Sequence, residues 1–376
     1  MQQIRSENKK VLLGLSGGVD STAAALILRE KGFAVTGLFF DVLGDQEAER
    51  EAAAQTAAEL GIPFLCKNVS GQFQEQVISY FCDSYLRGET PNPCVVCNPT
   101  LKFRVLADTA DEIGAAYIAT GHYARVLQDA ETGIKTETNS KTGTGTDGRY
   151  WICRAESRKD QSYMLYRLPQ QVLRRLLLPL GEAADKETVR DFVRGHSIGN
   201  FDKKDSQEIC FIKEGNYADY IKNRGGKSPA GDFVDMQGRV LGRHGGLLSY
   251  TVGQRKGLGI TFGKPMFVIR LDAAKNQVVL GDDKDLFNRT VYLENTFLSC
   301  YDDGKGALPE EWEGLAVTAK IRYGAQLASA RLESCGADRL RLLFDQPQRA
   351  AAAGQSAVFY SGDRLLGGGF ITNRSI

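Results

Sequence analysis

A buried-type strand that runs directly into a glycine-rich turn and then a helix constrains this chain more than any other feature. VLLGL (11–15) is apolar on both faces, Ser16, Gly17 and Gly18 follow at once, and Asp20 and Ser21 open DSTAAALILREKG (20–32), which has helical composition and stops at a glycine. The alternation continues. AVTGLFF (34–40) reads as a strand, 46–61 as a helix, PFLCKNV (63–69) as a strand, 73–88 and 100–114 as helices, and AYIATG (116–121) as a fourth strand. Such a pattern predicts a parallel sheet covered by helices on both faces. Ligands of these sheets gather at the carboxyl ends of the strands. A glycine turn placed there lets backbone N–H groups and a helix N-terminus face an anion. GLSGGVDST (14–22) has no lysine where the G-x-x-x-x-G-K-[ST] loop needs one, and it is not G-x-G-x-x-G.

The rest of the chain differs in character. Residues 128–149 are polar, rich in Gly and Thr and without apolar period, and read as a hairpin tip between YARVL and RYWICRA. A helical stretch fills 178–195. Beyond about 214 the apolar runs shorten and glycine becomes frequent, which predicts β-hairpins (GDFVDMQGRVLG, KPMFVIRLD, NQVVLGD) and, from TVYLENTFLS onward, a small barrel. The expected fold is therefore α/β, with three units: a parallel-sheet domain over 1–214, a small central domain over 215–286 and a C-terminal β-barrel over 287–376.

The 376 residues, 42% apolar and 25% charged, suit a soluble protein of two or three domains. No apolar run reaches the length of a membrane span and the N-terminus is charged, so a cytoplasmic location with no membrane partner is expected. The net charge of +1 announces no nucleic acid, although ten Lys/Arg face four Asp/Glu between Lys213 and Arg270. Of eight cysteines, Cys66, Cys82, Cys153, Cys300 and Cys335 lie in or beside apolar runs and read as small buried hydrophobes. Cys94 and Cys97 sit in TPNPCVVCN (90–98). In a reducing compartment a C-x-x-C serves metals or catalysis more often than structure, and no second C-x-x-C completes a four-cysteine zinc site. Pro91 and Pro93 are expected to hold this loop extended. His122 falls at the end of the fourth strand, where ligands are expected; His196 and His244 read as surface residues.

The Ser-Gly-Gly-x-Asp-Ser loop resembles the PP-loop of ATP pyrophosphatases, whose fold is that of the adenine nucleotide alpha hydrolases. The resemblance implies that ATP is split to AMP and pyrophosphate. It places Gly14, Leu15, Ser16, Gly17, Gly18, Val19, Asp20 and Ser21 around the phosphates, with Phe40 and Gly121 at the nucleotide. Asp20 would orient the loop or a Mg²⁺ ion, which three phosphates in one pocket call for. TPNPCVVCN with LKF behind it, ATGHYAR (119–125), KDQSYMLYRL (159–168), SQEICFI (206–212) and TVGQRKGLGI (251–260), in that order, together resemble the tRNA-specific 2-thiouridylase family over nearly the whole chain.

That resemblance implies adenylation of the C2 oxygen of the wobble uridine (U34) of tRNA, then sulfur transfer from a cysteine persulfide. The implied tRNAs are those for Lys, Glu and Gln, and the implied sulfur donor is a cysteine desulfurase or a sulfur-relay protein. Cys97 matches the nucleophile and Cys210 the persulfide carrier, which a disulfide exchange would join after transfer. Cys94 stands where many members carry Asp, so the carboxylate role is open here. An alternative is that Cys94, Cys97 and Cys210 hold a [4Fe–4S] cluster that carries sulfide, as in other tRNA thiolases of this class. A synthetase of the same loop class is a further alternative, which needs no functional cysteine. Asn92, Pro93, Cys94 and His122 would meet the flipped-out base. Lys159, Asp160, Gln161, Arg322, Tyr323 and Gln355 would touch tRNA, with Arg255 and Lys256 adding phosphate contacts.

Overall fold

The computed structural model describes residues 8–129, 148–196, 198–199, 209–213, 215–259, 263–336 and 339–373. Most of the 128–149 segment, Ser206 to Glu208 and Ile260 lie outside the described residues. Strands β1 (Lys10–Gly14), β2 (Ala34–Asp41), β3 (Phe64–Asn68), β4 (Tyr117–Ala119) and β7 (Leu176–Leu177) form one parallel sheet in the order β3-β2-β1-β4-β7. The strand order reverses between β1 and β4, which opens a crevice at their carboxyl ends.

Alternation along β1 divides the core. Leu12 joins Leu38, Ile118, Phe103 and Leu106 on one face. Val11 and Leu13 join Ala23, Ala24, Leu28, Val189 and Val193 on the other. The second face is covered by α1 (Val19–Glu30) and, further on in the chain, by the helix Lys186–Gly195. Helix α2 (Glu47–Glu59) follows β2. Helices α3 (Ser70–Phe73) and α4 (Ser79–Leu86) are joined by a wide turn over Gln74–Ile78.

The C-x-x-C segment is not extended. Asn92 is in extended conformation, and its side chain caps a helix that starts at Pro93. Proline is favoured at a first helical position because its missing N–H would have had no partner there. Helix α5 (Pro93–Cys97) runs through a wide turn at Asn98–Lys102 into α6 (Phe103–Glu112). Pro99 lacks the N–H that a regular helix needs at that point, which accounts for the wide turn.

Strands β5 (Ala124–Gln128) and β6 (Tyr150–Arg154) form the expected hairpin. It does not stay with the parallel sheet. Arg364 of β17 pairs with Cys153, so the hairpin is annexed by the C-terminal sheet. That sheet runs β12 (Phe287–Leu298), β15 (Arg339–Arg349), β14 (Ala328–Ser334), β13 (Ala316–Lys320), β16 (Ser356–Ser361), β17 (Arg364–Thr372), and β12 pairs β17 to close it into a barrel. Trp151 and Cys153 of the hairpin are buried in the barrel's core, and the Arg364 guanidinium lies 4.6 Å over the Trp151 ring. The helices α7 (Gln170–Leu173), α8 (Lys186–Gly195) and α9 (Tyr217–Asn223) precede a sheet ordered β10 (Phe267–Asp272), β11 (Gln277–Gly281), β8 (Gly231–Val234), β9 (Val240–His244). The fold is thus a parallel-sheet domain, a small central sheet and a β-barrel.

Some sequence expectations change. Cys66 is exposed because β3 is an edge strand, while Cys82, Cys300 and Cys335 are half-buried; only Cys153 of these five is buried. His244 is 3% exposed, accepts the Gly246 amide at 3.1 Å and lies 3.3 Å from the Asn276 carbonyl, so it fastens the central sheet. Five of the ten cations between 213 and 270 are ion-paired at the surface, Lys213 with Asp45, Arg239 with Asp235, Arg243 with Asp232, Lys264 with Asp282 and Arg270 with Asp272.

Candidate active site at the carboxyl edge of the parallel sheet

The glycine loop leaves β1 at the point where strand order reverses. Gly17 has φ +68°, and a Cβ there would press on the Ala53 backbone at 3.0 Å. Ser16 and Ser21 brace the turn: the Ser16 amide donates to Ser21 Oγ at 3.2 Å, and Ser21 Oγ donates to the Gly18 carbonyl at 3.0 Å. Helix α1 begins behind Gly18 with no side-chain cap, so its first N–H groups remain available to an anion. Gly14 faces Phe40, whose ring edge would lie 3.4 Å from a Cβ at Gly14. Gly121, after β4, approaches so closely that a Cβ would sit 2.8 Å from the Asp20 carbonyl carbon. Leu15 and Val19 are buried and pin the loop's two ends.

From Gly121 the chain leads to His122, whose Nδ1 lies 2.8 Å from Thr120 Oγ1. The imidazole is packed against the Phe103 ring at 6.0 Å, and burial, with the Lys102 charge adding to it, pushes its pKa down to about 4. His122 is therefore neutral at pH 7. Lys102 ends the wide turn behind the C-x-x-C. Its pKa is raised chiefly by the charge of Cys97 in its thiolate form, with Cys210 and Cys94 adding to it.

The three thiols share this field. Cys94 and Cys210 are exposed and Cys97 is buried. Cys94 and Cys97 lie three apart on one helical turn and hence on one face. Burial pushes Cys97 up to about 11, partly offset by Lys102, with Cys210 and Cys94 pushing further. Cys94 is raised for the same reasons: although solvent reaches it, the surrounding protein disfavours its thiolate. Phe211 and Ile212, which follow Cys210, pack with Cys97 in one apolar cluster. The structure therefore brings Cys210 to Cys94 and Cys97, from which the sequence separates it by over a hundred residues.

Among the described residues no three His, Cys, Asp or Glu side chains are arranged to hold a metal ion. As they are placed, Cys94, Cys97 and Cys210 do not fit a three-thiolate cluster site. Asp20 does not fit as a Mg²⁺ ligand either. One of its oxygens takes the Tyr123 hydroxyl at 2.8 Å, and the Lys186 ammonium stands 3.1 Å from the other.

The residues expected at tRNA divide into two groups. Lys159, Arg322 and Tyr323 are exposed, as are Arg255 and Lys256. The Tyr323 ring lies 6.0 Å from Tyr163, and its hydroxyl feels both Asp160 and Cys94, which brings this barrel residue to the thiol site. The others are turned to structural work. Asp160 is 5% exposed and accepts the Ala155 amide at 3.0 Å and the Ser162 hydroxyl at 2.9 Å, so it is not a surface contact. Gln161 clamps Tyr123, accepting its amide at 3.0 Å and donating its own to the Tyr123 carbonyl at 2.7 Å. Gln355 donates to the Thr90 carbonyl at 2.7 Å. Asn92 caps α5, accepting the Cys94 amide at 3.1 Å, and Pro93 is buried beside it.

Sequence reasoning missed Lys102, Tyr123 and Lys186. Lys102 stood in view as the LKF behind the cysteines; Tyr123 and Lys186 carry no local signal, because each meets Asp20 only through the fold.

Residues 9–214 match the family model described as a tRNA methyl transferase HUP domain, 218–282 a tRNA methyl transferase PRC-barrel domain, and 304–371 an aminomethyltransferase beta-barrel domain. A tRNA-specific 2-thiouridylase MnmA of Clostridioides difficile is 41% identical over 97% of this chain and 98% of its own length. The protein of that name from Clostridium acetobutylicum is 40% identical over 97% and 99%, and that of Desulforudis audaxviator 43% over 96% and 98%. At this identity over nearly complete length, the chain belongs to the tRNA-specific 2-thiouridylase family.

Proposed function

We propose that this protein is a tRNA-uridine 2-sulfurtransferase. It adenylates the C2 oxygen of the wobble uridine with ATP and replaces that oxygen by sulfur, giving 2-thiouridine, AMP and pyrophosphate. One observation carries the reading: Gly121 packs on Asp20 of the anion loop, His122 follows it, and the charge of Lys102 acts both on His122 and on the thiols of Cys94, Cys97 and Cys210. A nucleotide activated at the loop would therefore stand next to sulfur. Methyl transfer needs neither a pyrophosphate loop nor paired thiols.

The residues suit the following sequence. The target base leaves its stack to reach the site, with Cys94 and Tyr323 at its edge and Lys159, Arg322, Arg255 and Lys256 on the tRNA backbone. ATP, carried with Mg²⁺ on its phosphates, lies on Ser16 to Ser21 with its base toward Phe40. The terminal sulfur of a persulfide on Cys210 attacks C2, and AMP leaves with the former oxygen. The Cys97 thiolate then attacks the inner sulfur of Cys210. The Cys210–sulfur bond breaks, its electron pair stays with the thiocarbonyl, and a Cys97–Cys210 disulfide forms. A thiol reductant resets the pair, and a desulfurase or relay protein reloads Cys210. Lys102 favours the Cys97 thiolate this scheme uses.

The deciding experiment is thiolation of unmodified tRNA for Lys, Glu or Gln, with ATP and a desulfurase-derived persulfide, using protein purified anaerobically. Expected are 2-thiouridine and AMP in equal amounts, loss of 2-thiouridine in Cys97→Ser and in Cys210→Ser, and activity that survives iron chelation once Mg²⁺ is restored. AMP formation with no 2-thiouridine would sink the reading. Activity that tracks about four irons per chain would replace the persulfide route with sulfide carried on a cluster.

A further inference from the structure

Asp20 stands second in α1, where a carboxylate ordinarily turns back onto the helix's own free N–H groups. Here α1 has no side-chain cap. Asp20 Oδ1 accepts the Tyr123 hydroxyl at 2.8 Å, and Oδ2 lies 3.1 Å from Lys186 Nζ. Both partners are firmly placed. Tyr123 is 2% exposed and held through its backbone by Gln161. Lys186 opens α8 behind the capping residue Asp185, packs against α1 through Val189 and Val193, and has a side chain only 9% exposed. An ammonium buried this far is retained where it meets a charge. A bare carboxylate at Asp20 would set a negative charge inside a loop whose purpose is to receive phosphates.

We propose that Lys186 is a positioning residue of the nucleotide site: it neutralises Asp20 and holds the carboxylate aside, which leaves the N–H groups of the loop to the triphosphate. The inference rests on the ATP-using reading of that loop. Lys186 touches no nucleotide in this scheme and acts through Asp20. Its role therefore disappears when the carboxylate does.

The test is equilibrium titration of α,β-methylene ATP with Mg²⁺ into the full chain, for wild type, Lys186→Arg, Lys186→Met and the double variant Lys186→Met with Asp20→Asn, with thermal melts alongside. Lys186→Met should weaken binding by about tenfold or more, since one uncompensated charge a few ångströms from phosphate is worth that much at intermediate dielectric. Lys186→Arg keeps the charge and should stay well above Lys186→Met. The double variant should return to within about threefold of wild type, because the loop then carries no carboxylate charge for Lys186 to compensate. Should Lys186→Met not fold, the double variant decides by itself. A folded double variant that binds tenfold more weakly than wild type would overturn the proposal, as would a folded Lys186→Met that binds like wild type. A wild-type chain that fails to bind the analogue fails earlier: it refutes the ATP reading of the loop, and with it the inference.

Discussion

Gln355 reaches from the barrel and donates its side-chain amide to the Thr90 carbonyl at 2.7 Å, two residues ahead of the residue that caps the cysteine helix. The Thr90 amide returns a bond to the Ala353 carbonyl at 2.7 Å. The barrel thus grips the segment from which Cys94 and Cys97 are presented.

Gln355→Ala should therefore slow thiolation more than it weakens tRNA binding. The lost bond is worth about 1 kcal/mol, which lowers the melting temperature by a few degrees. Single-turnover rates and filter-binding affinities on one tRNA separate the effects. A fall in affinity with an unchanged rate would instead make Gln355 a tRNA contact.

How much of this was legible in the sequence depends on the range of each interaction. The strand, glycine turn and helix of 11–32 were readable because each element is specified by its own residues. So were the barrel strands, from short apolar runs between turns. The helix at Pro93 was misread because two prolines suggest extension, whereas Asn92 makes the second a helix start. Asp160, Gln161 and Gln355 sit in motifs whose polarity suggests a surface, and each is committed inward by partners that no local pattern announces. The annexed β5–β6 hairpin and the Lys186–Asp20 pair join residues more than 160 apart.

Asp160 and its neighbour Lys159 should separate cleanly. Asp160→Ala strands the buried Ala155 and Ser162 donors and a Ser162 hydroxyl 3.1 Å from Tyr360. It should cost about 1–3 kcal/mol of stability. Lys159→Ala, at an exposed position, should leave the melt alone and reduce the salt slope of tRNA binding by about 0.7–0.9. An Asp160→Ala variant with a wild-type melt and weakened tRNA binding would restore the surface role.

His122 predicts a pH dependence with a definite sign. Its folded pKa of about 4 lies below the ordinary 6.5, so below pH 6.5 the unfolded chain binds the extra proton. Stability is then constant, as far as this group is concerned, above about pH 6.5 and falls as pH drops toward 4. His122→Gln should flatten that part of the profile in denaturant melts between pH 4 and 7. His244, also lowered by burial, adds slope of the same sign, and the lowered carboxyls of Asp185, Asp235 and Asp282 add to it toward pH 4. Lys102→Met should move the His122 titration upward, read from its ring-proton shift, because the cation that opposes protonation is gone. An unmoved titration would break the His122–Lys102 link.

The last prediction concerns the thiol that closes the proposed disulfide. With a pKa of about 11, Cys97 is about 1 part in 10⁴ thiolate at pH 7, and being buried it is also shielded. In the resting protein iodoacetamide should therefore modify the exposed Cys94 and Cys210 well before Cys97, as read by peptide mass spectrometry. The Cys97 rate should climb with pH to about 11. Lys102→Met should depress it at every pH below that, since Lys102 is the group that lowers the Cys97 pKa. Binding of tRNA and ATP must expose or ionise Cys97 if it is to resolve the Cys210 adduct, so alkylation should accelerate in their joint presence. Cys97 modified as fast as Cys210 at pH 7 without ligands would remove the need for that change and, with it, the role given to Lys102.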